Sequence, residues 1–152
     1  MPVITKSALL MVPVQAAYDV VVDVAAYPQF LPACRATQVI SQPSDLELTA
    51  SVTVGGSIGG RQIEETFVTQ NQHQPGERVE MTLSQGPFER LQGHWSFTRL
   101  GNIGCKVEVT IDYVPRGLLA RMLSKLAEPM ANRLVDAFSD RIESQHALQQ
   151  QP

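Results

Sequence analysis

Hydrophobic and polar residues alternate along the middle of the chain, between Arg35 and Val114. The clearest run places polar residues between Leu46, Leu48, Ala50, Val52 and Val54, which is typical of a strand with one buried face. Runs with the same period end near Leu83, Phe97 and Tyr113, and turn-forming residues separate them. Because short connections join antiparallel neighbours, the pattern predicts about six antiparallel strands in this region.

The two ends of the chain have other patterns. The segment Val3–Val12 favours a first strand, and Pro13 opens a short helical pattern over Val14–Val24. Two prolines in Tyr27–Pro32 limit that segment to one short helical turn. After Gly117 apolar residues recur every three or four positions, at Leu119, Met122, Leu126, Met130, Leu134, Phe138 and Ile142. This predicts a long amphipathic helix, the only element large enough to cover the apolar face of the sheet.

Length and composition indicate one folded domain. The chain has 152 residues, of which 43% are hydrophobic and 18% charged, and this composition excludes extensive disorder. We expect a domain over residues 1–146 and a frayed tail over 147–152. No signal peptide or membrane-spanning run is expected. Cys34 and Cys105 indicate buried thiols, so we expect a cytoplasmic protein, with peripheral contact with the inner membrane left open.

Charge is unevenly distributed. The net charge of −3 argues against a DNA-binding protein. Residues 116–133 are nevertheless basic, because Glu128 is the only acidic residue among four basic ones, Arg116, Arg121, Lys125 and Arg133. This segment is either a solvated helix face or a contact surface for anionic lipid headgroups or ribosomal RNA.

Three motifs carry a resemblance to a known family. They are Asp23-Val-Ala-Ala-Tyr27-Pro28-Gln-Phe30-Leu31-Pro32-Ala-Cys34, Gly86-Pro87-Phe88-Glu-Arg-Leu91-Gln-Gly93-His-Trp95-Ser-Phe97 and Ala137-Phe138-Ser-Asp-Arg141. In this order they resemble the signatures of START-like (SRPBCC) proteins of the coenzyme Q-binding and ribosome-association-toxin (RatA) family. The resemblance implies an α+β helix-grip fold, with a seven-stranded antiparallel sheet wrapped around a long C-terminal helix. Two short helices would follow the first strand, and an apolar tunnel would lie inside.

The tunnel implied by the resemblance makes a hydrophobic small molecule the leading candidate partner. We expect a protein that binds or chaperones an isoprenoid lipid, first of all ubiquinone, in support of respiration, without catalysis and without a cofactor other than that ligand. The lining would comprise Tyr27, Phe30, Leu31, Pro32, Met81, Phe88, Trp95, Phe97, Met122, Leu126 and Met130.

Two alternatives follow from the same resemblance. The first is a toxin that binds the large ribosomal subunit and blocks subunit joining. The second is an enzyme similar to polyketide cyclases and dehydratases, which would need polar groups converging inside the cavity; the candidates are Arg61, Thr66 and Asp112.

Little in the sequence supports any other catalytic site or a metal site. The histidines His73, His94 and His146 are far apart and lack the spacing of zinc ligands. The strand pattern directs His94 away from Trp95 and toward solvent, and nothing in the sequence brings Cys34 near His94. We therefore predict no catalytic residue and no metal site.

Overall fold

The computed structural model describes residues 3–117 and 127–149, and for Ile58 and residues 127–130 it describes the backbone only. The described part contains a seven-stranded antiparallel sheet, two short helices and a long C-terminal helix. The strands are β1 Val3–Leu10, β2 Cys34–Ser44, β3 Glu47–Ile58, β4 Arg61–Gln74, β5 Arg78–Gln85, β6 Phe88–Leu100 and β7 Gly104–Pro115. The helices are α1 Val14–Val22, a 3-10 helix Val24–Gln29 and α2 Ala127–Gln149.

The strands lie in the order β1-β7-β6-β5-β4-β3-β2. The first strand of the chain, β1, therefore pairs with the last strand, β7. In the register between them, Val3 pairs with Asp112 and Leu10 pairs with Cys105. All other neighbours are consecutive in the chain and are joined by short turns. The fold predicted from alternation and from the family resemblance is therefore confirmed.

The two short helices lie where prolines were expected to place them. Pro13 is the residue before α1, and its extended backbone, with ψ 149°, turns the chain from β1 into the helix. Ala17, Tyr18 and Val21 of α1 are buried against the sheet. The 3-10 helix Val24–Gln29 contains Pro28 and has Phe30 as its C-terminal cap, so only Tyr27–Gln29 of the segment Tyr27–Pro32 is helical.

The described part of α2 packs one face against the sheet. Ala131, Val135, Phe138 and Ile142 recur at helical spacing and are all buried. Val135, Phe138 and Ile142 belong to one apolar core with Leu10 and Val107. Among the predicted stripe residues, Leu119, Met122 and Leu126 lie outside the described residues, and the side chain of Met130 is not described. The helix continues to Gln149, three residues into the segment 147–152 that was expected to fray.

The glycine-rich segment between β3 and β4 is a tight hairpin. Ile58 pairs with Arg61, which leaves Gly59 and Gly60 as a two-residue loop. Their φ angles of +57° and +82° are those of the turn that matches the twist of paired strands. Gly55 and Gly56 pair with Glu64 and Ile63 inside the ladder.

Candidate functional site

The inner face of the sheet, which α1, the 3-10 helix and α2 cover, has two unequal halves. At one end its side chains are buried, including Val79 of β5, Trp95 and Phe97 of β6, and Val107 and Val109 of β7. At the other end apolar side chains of the same face are only half-buried. We call this second set the open half; it comprises Val52, Val54, Phe67, Met81, Leu83, Phe88, Leu91 and Ile111. Half-buried Glu65 of β4 pairs with Val54 and lies on the same face. An apolar face that the described residues leave half-exposed is a candidate for binding a hydrophobic molecule.

A bulge in β6 places Phe88 on the open half. The register shifts between Phe88 and Arg90, so Phe88 lies on the same face as Leu91 although their numbers differ by an odd count. Its ring contacts Phe67 and Tyr113 edge-on, with centroids 6.5 and 6.2 Å apart. The resemblance implies that Phe88 belongs to a ligand lining, and the bulge is the local feature that places it on the open half.

Gly93 lies in the middle of the inner face, where neighbouring atoms occupy the space above it. It pairs with Met81 on one side and Ile111 on the other. A Cβ atom at Gly93 would lie 3.0 Å from the carbonyl oxygen of Thr110 and 3.2 Å from Cε of Met81. The thioether of Met81 therefore lies over the glycine, and a flexible methionine can adapt to a neighbouring ligand.

The buried half is organised around Phe138 of α2. Its ring lies edge-on to Tyr27 and Phe30, with centroids 5.2 Å away in each case, and to Trp95 at 4.8 Å. Phe97 contacts Tyr18 of α1 at 5.7 Å. Of the predicted lining residues, Trp95 and Phe97 are thus core side chains, Tyr27, Phe30 and Leu31 pack against that core, and Pro32 is exposed.

Arg141 fixes the first motif to the last helix. Its guanidinium carbon lies 5.2 Å from the centre of the Phe30 ring, and Nη2 donates a hydrogen bond to Oε1 of Gln29 over 3.0 Å. Both contacts join α2 to the turn at the end of the 3-10 helix. Three segments far apart in sequence therefore meet at Phe138.

The Tyr27 hydroxyl is held inside this cluster. It donates a hydrogen bond to the carbonyl oxygen of Val21. Burial raises the pKa of Tyr27 well above its ordinary value, and the negative charge of Asp23 adds to the effect. The side chain is therefore a neutral hydrogen-bond donor that fixes the 3-10 helix to the end of α1.

A groove of about 150 Å³ lies between α1 and the last turns of α2. Asp19, Asp23, Phe30, Arg141 and His146 are among its lining residues. Pockets for small molecules commonly measure roughly 300–1,000 Å³. The groove is smaller than this range.

One polar feature of the inner face was missed by sequence reasoning. Thr69, Asn71 and His73 of β4 are buried there, opposite Ala50 and Leu48 of β3. The segment Thr69–Gln74 is polar at every position, so alternation does not reveal which of its side chains point inward. The apolar residues of the neighbouring strand β3 carry this information. Once the register of the hairpin is known, the residues of β4 that pair with them are identified as inward-pointing.

The polar residues considered for cyclase chemistry do not converge. Asp112 accepts two hydrogen bonds from Nη2 of Arg90, at 2.8 and 3.0 Å, on the outer face of the sheet. The Thr66 hydroxyl lies 2.8 Å from that of Thr53, and Arg61 is exposed at the tip of the hairpin. Of the three candidates only Arg61 is in register with the inner-face residues of β4, and it lies at the exposed tip of the hairpin, so the three side chains do not meet.

The remaining nucleophilic and titratable candidates are separated from each other. His94 lies on the outer face, as predicted, where partial burial and the charge of Arg78 lower its pKa. Cys34 begins β2, four strands away from the strand that carries His94. Burial raises the pKa of Cys34 and of Cys105, so neither thiol is activated. Within residues 3–117 and 127–149, no three His, Cys, Asp or Glu side chains form a group able to hold a metal ion.

The basic segment is described only in part. Arg116 and Arg133 are exposed, whereas Arg121 and Lys125 lie outside the described residues. Neither Arg116 nor Arg133 forms an ion pair with another described residue. These two charges are therefore available to an anionic partner. No helix in the described ranges is both long and apolar enough to cross a bilayer.

Comparison with known proteins agrees with the fold. The family described as "Polyketide cyclase / dehydrase and lipid transport" matches residues 10–140. A protein of Pseudomonas aeruginosa named "Ribosome association toxin RatA" is 42% identical over 141 residues, which are 91% of this chain and 93% of that protein.

Two solved structures extend the comparison. The Zhui aromatase/cyclase of Streptomyces sp. R1128 superposes with a TM-score of 0.81 at 14% identity, over 93% of each chain. A START superfamily protein of Mycobacterium smegmatis superposes with a TM-score of 0.74 at 23% identity, over 93% of this chain and 97% of that one. At such identities the likeness concerns the fold alone. Because the family model matches most of the chain, the chain belongs to the family described as polyketide cyclase/dehydrase and lipid transport.

Proposed function

We propose that this protein associates with the ribosome, as the name of its Pseudomonas relative says of that protein. The observation that carries the proposal is 42% identity over nearly the full length of both chains. This relationship favours ribosome association over ubiquinone binding, the leading expectation from the sequence. We further propose that the partner is the large ribosomal subunit and that binding blocks the joining of the subunits.

Charge suggests one part of the contact surface. Arg116 and Arg133 are exposed and have no acidic partner among the described residues, so both can contact RNA phosphates. Such contacts release counterions, so binding should weaken steeply as salt rises.

Sedimentation through a sucrose gradient with purified large ribosomal subunits tests the proposal. The wild-type protein should travel with the subunit at low salt, and the double variant Arg116→Glu/Arg133→Glu should remain near the top. Arg99→Glu is the matched control, because Arg99 is also exposed but lies near the end of β6. A wild-type protein that remains at the top of the gradient at every salt concentration contradicts ribosome association.

The open half supports a second function, the binding of a hydrophobic molecule. Its half-buried side chains would lose water contact when an apolar tail lies on them, which stabilises the complex by roughly 25 cal/mol per Å² of apolar surface removed from water. An isoprenoid such as ubiquinone meets this requirement. We propose binding without catalysis, because Arg61, Thr66 and Asp112 do not converge on the described inner face.

A titration with short-chain ubiquinone, followed by the fluorescence of the single tryptophan Trp95, tests the second function. Leu83→Lys should abolish binding, because the new charge would lie on the open half. Ile40→Lys is the control, because Ile40 is 55% exposed on β2. Organic extraction of the purified protein and mass spectrometry give an independent readout. The absence of both a bound lipid and a titration signal contradicts this function.

A further inference from the structure

The polar row on β4 separates two apolar strands of the inner face. Thr69, Asn71 and His73 are 5%, 7% and 7% exposed. On one side they pair with Ala50 and Leu48 of β3, and on the other with Leu83, Met81 and Val79 of β5. Two of these neighbours, Met81 and Leu83, belong to the open half. The row therefore adjoins the proposed apolar binding surface.

His73 presents a bare acceptor to the interior. Its Nδ1 lies 3.3 Å from the carbonyl oxygen of Asp45. A carbonyl oxygen only accepts, so Nδ1 must carry the hydrogen, and in the neutral imidazole Nε2 is then an acceptor. Nε2 is buried and has no hydrogen-bond partner among the described residues. The ring is held in place by an edge-on contact with Tyr18, with centroids 6.5 Å apart.

Asn71 presents a second acceptor. Its Oδ1 atom is also buried, and it too lacks a hydrogen-bond partner in the part of the chain that the structure describes. Residues 71 and 73 are alternate residues of one strand, so their side chains emerge on the same face. Buried acceptors without partners are costly, and most are satisfied in folded proteins, so two neighbouring ones indicate an absent donor.

We infer that one of these two buried acceptors, Asn71 Oδ1 or His73 Nε2, accepts a hydrogen bond from the hydroxyl group of an otherwise apolar ligand whose tail lies on the open half. A hydroxyl donates to one of the two acceptors, whereas an ether or an oxidised quinone has only acceptors and cannot satisfy either. The pair would therefore select alcohols, phenols and quinols over their ethers and quinones. This inference rests on the proposed binding of a hydrophobic molecule.

Farnesol and its methyl ether are suitable probes, because they share an apolar tail and differ in the hydroxyl donor. We expect isothermal titration to show farnesol binding the wild-type protein about tenfold more tightly than the ether, the effect of one good hydrogen bond in a dry site. The double variant Asn71→Leu/His73→Phe should reduce this preference to equality while it retains binding of the ether, and the two single variants show which acceptor the hydroxyl uses. Gln70→Leu is the matched control, since Gln70 is the exposed neighbour on the same strand and should retain the preference.

The possible outcomes distinguish failure of the hydroxyl assignment from failure of hydrophobic binding itself. Equal affinity of the wild-type protein for both probes overturns the hydroxyl assignment but leaves hydrophobic binding intact. No binding of either probe to the wild-type protein overturns both. A crystal structure grown with farnesol checks the assignment without any variant. The hydroxyl within hydrogen-bond distance of Asn71 or His73 supports it, and a water molecule bridging both acceptors with the farnesol elsewhere overturns it.

Discussion

The ring of Phe138 on α2 lies edge-on to the indole of Trp95 on β6, with 4.8 Å between their centroids. This pair joins the last of the three family motifs to the second. The first motif completes the cluster, because Tyr27 and Phe30 lie against the same Phe138 ring. The motifs are thus at least partly structural, since they fix the C-terminal helix and the 3-10 helix to the sheet.

Phe138→Ala should lower the free energy of unfolding by about 3–5 kcal/mol, the usual cost of removing a buried aromatic ring. The residue is 2% exposed and contacts three aromatic rings, so the cavity left behind cannot collapse easily. Urea denaturation followed by circular dichroism measures the change. Leu148→Ala, at a position 60% exposed on the same helix, is the control and should change stability by less than about 0.5 kcal/mol.

Arg141→Ala should reduce stability by about 0.5–1 kcal/mol, because it removes a cation–π contact with Phe30 and a hydrogen bond to Gln29 at a partly exposed site. Arg133→Ala, elsewhere on α2, serves as the control with no described contact to lose. Equal melting temperatures of the two variants would mean that the Arg141 contacts contribute nothing to stability.

Gly86→Ala should destabilise the protein by about 1–3 kcal/mol through overcrowding. The φ angle of Gly86 is +154°, and an added Cβ would lie 2.7 Å from Cβ of Phe67. The measurement is again urea denaturation. Gly56→Ala is the matched control, because no atom lies within 4 Å of its added Cβ; a strand alanine there should leave stability unchanged or raise it by up to about 1 kcal/mol.

Tyr27→Phe should change how the free energy of unfolding depends on pH in alkaline solution. The pKa of Tyr27 is raised on folding, so above its unfolded value of about 10 the folded state holds the proton that the unfolded state releases. The stabilisation that results from the raised pKa of Tyr27 is fully present below about pH 10, and it decreases as the pH rises further. The variant should be less stable at neutral pH, because the bond to Val21 is lost, and should show a shallower decline above pH 10. Parallel slopes for wild-type and variant proteins would contradict this assignment.

Much of the fold was predictable because the apolar residues within each strand or helix recur at one regular spacing. Leu48, Ala50, Val52 and Val54 alternate without interruption, and Val135, Phe138 and Ile142 keep helical spacing, so each element identifies its own buried face. The packing among elements was less accessible. Trp95 was expected to line a tunnel, but in the structure it lies against Phe138 and is 4% exposed.

The polar part of the candidate site was hidden for a different reason. His73 and Asn71 lie in a segment that is polar on both faces, so only the pairing with Leu48 and Ala50 identifies them as inward. Phe88 could be placed only by the family resemblance, because a bulge shifts its face and leaves no trace in the period of β6.

The pairing of Lys6 with Val109 has a consequence for how the protein folds as it is synthesised. About a hundred residues separate these two strands, and closing so long a loop makes folding slow in comparison with proteins rich in local contacts. The N-terminal segment leaves the translating ribosome long before its partner exists. The backbone hydrogen-bonding groups of β1 therefore have no partner strand until β7 emerges. The domain can be completed only near the end of translation.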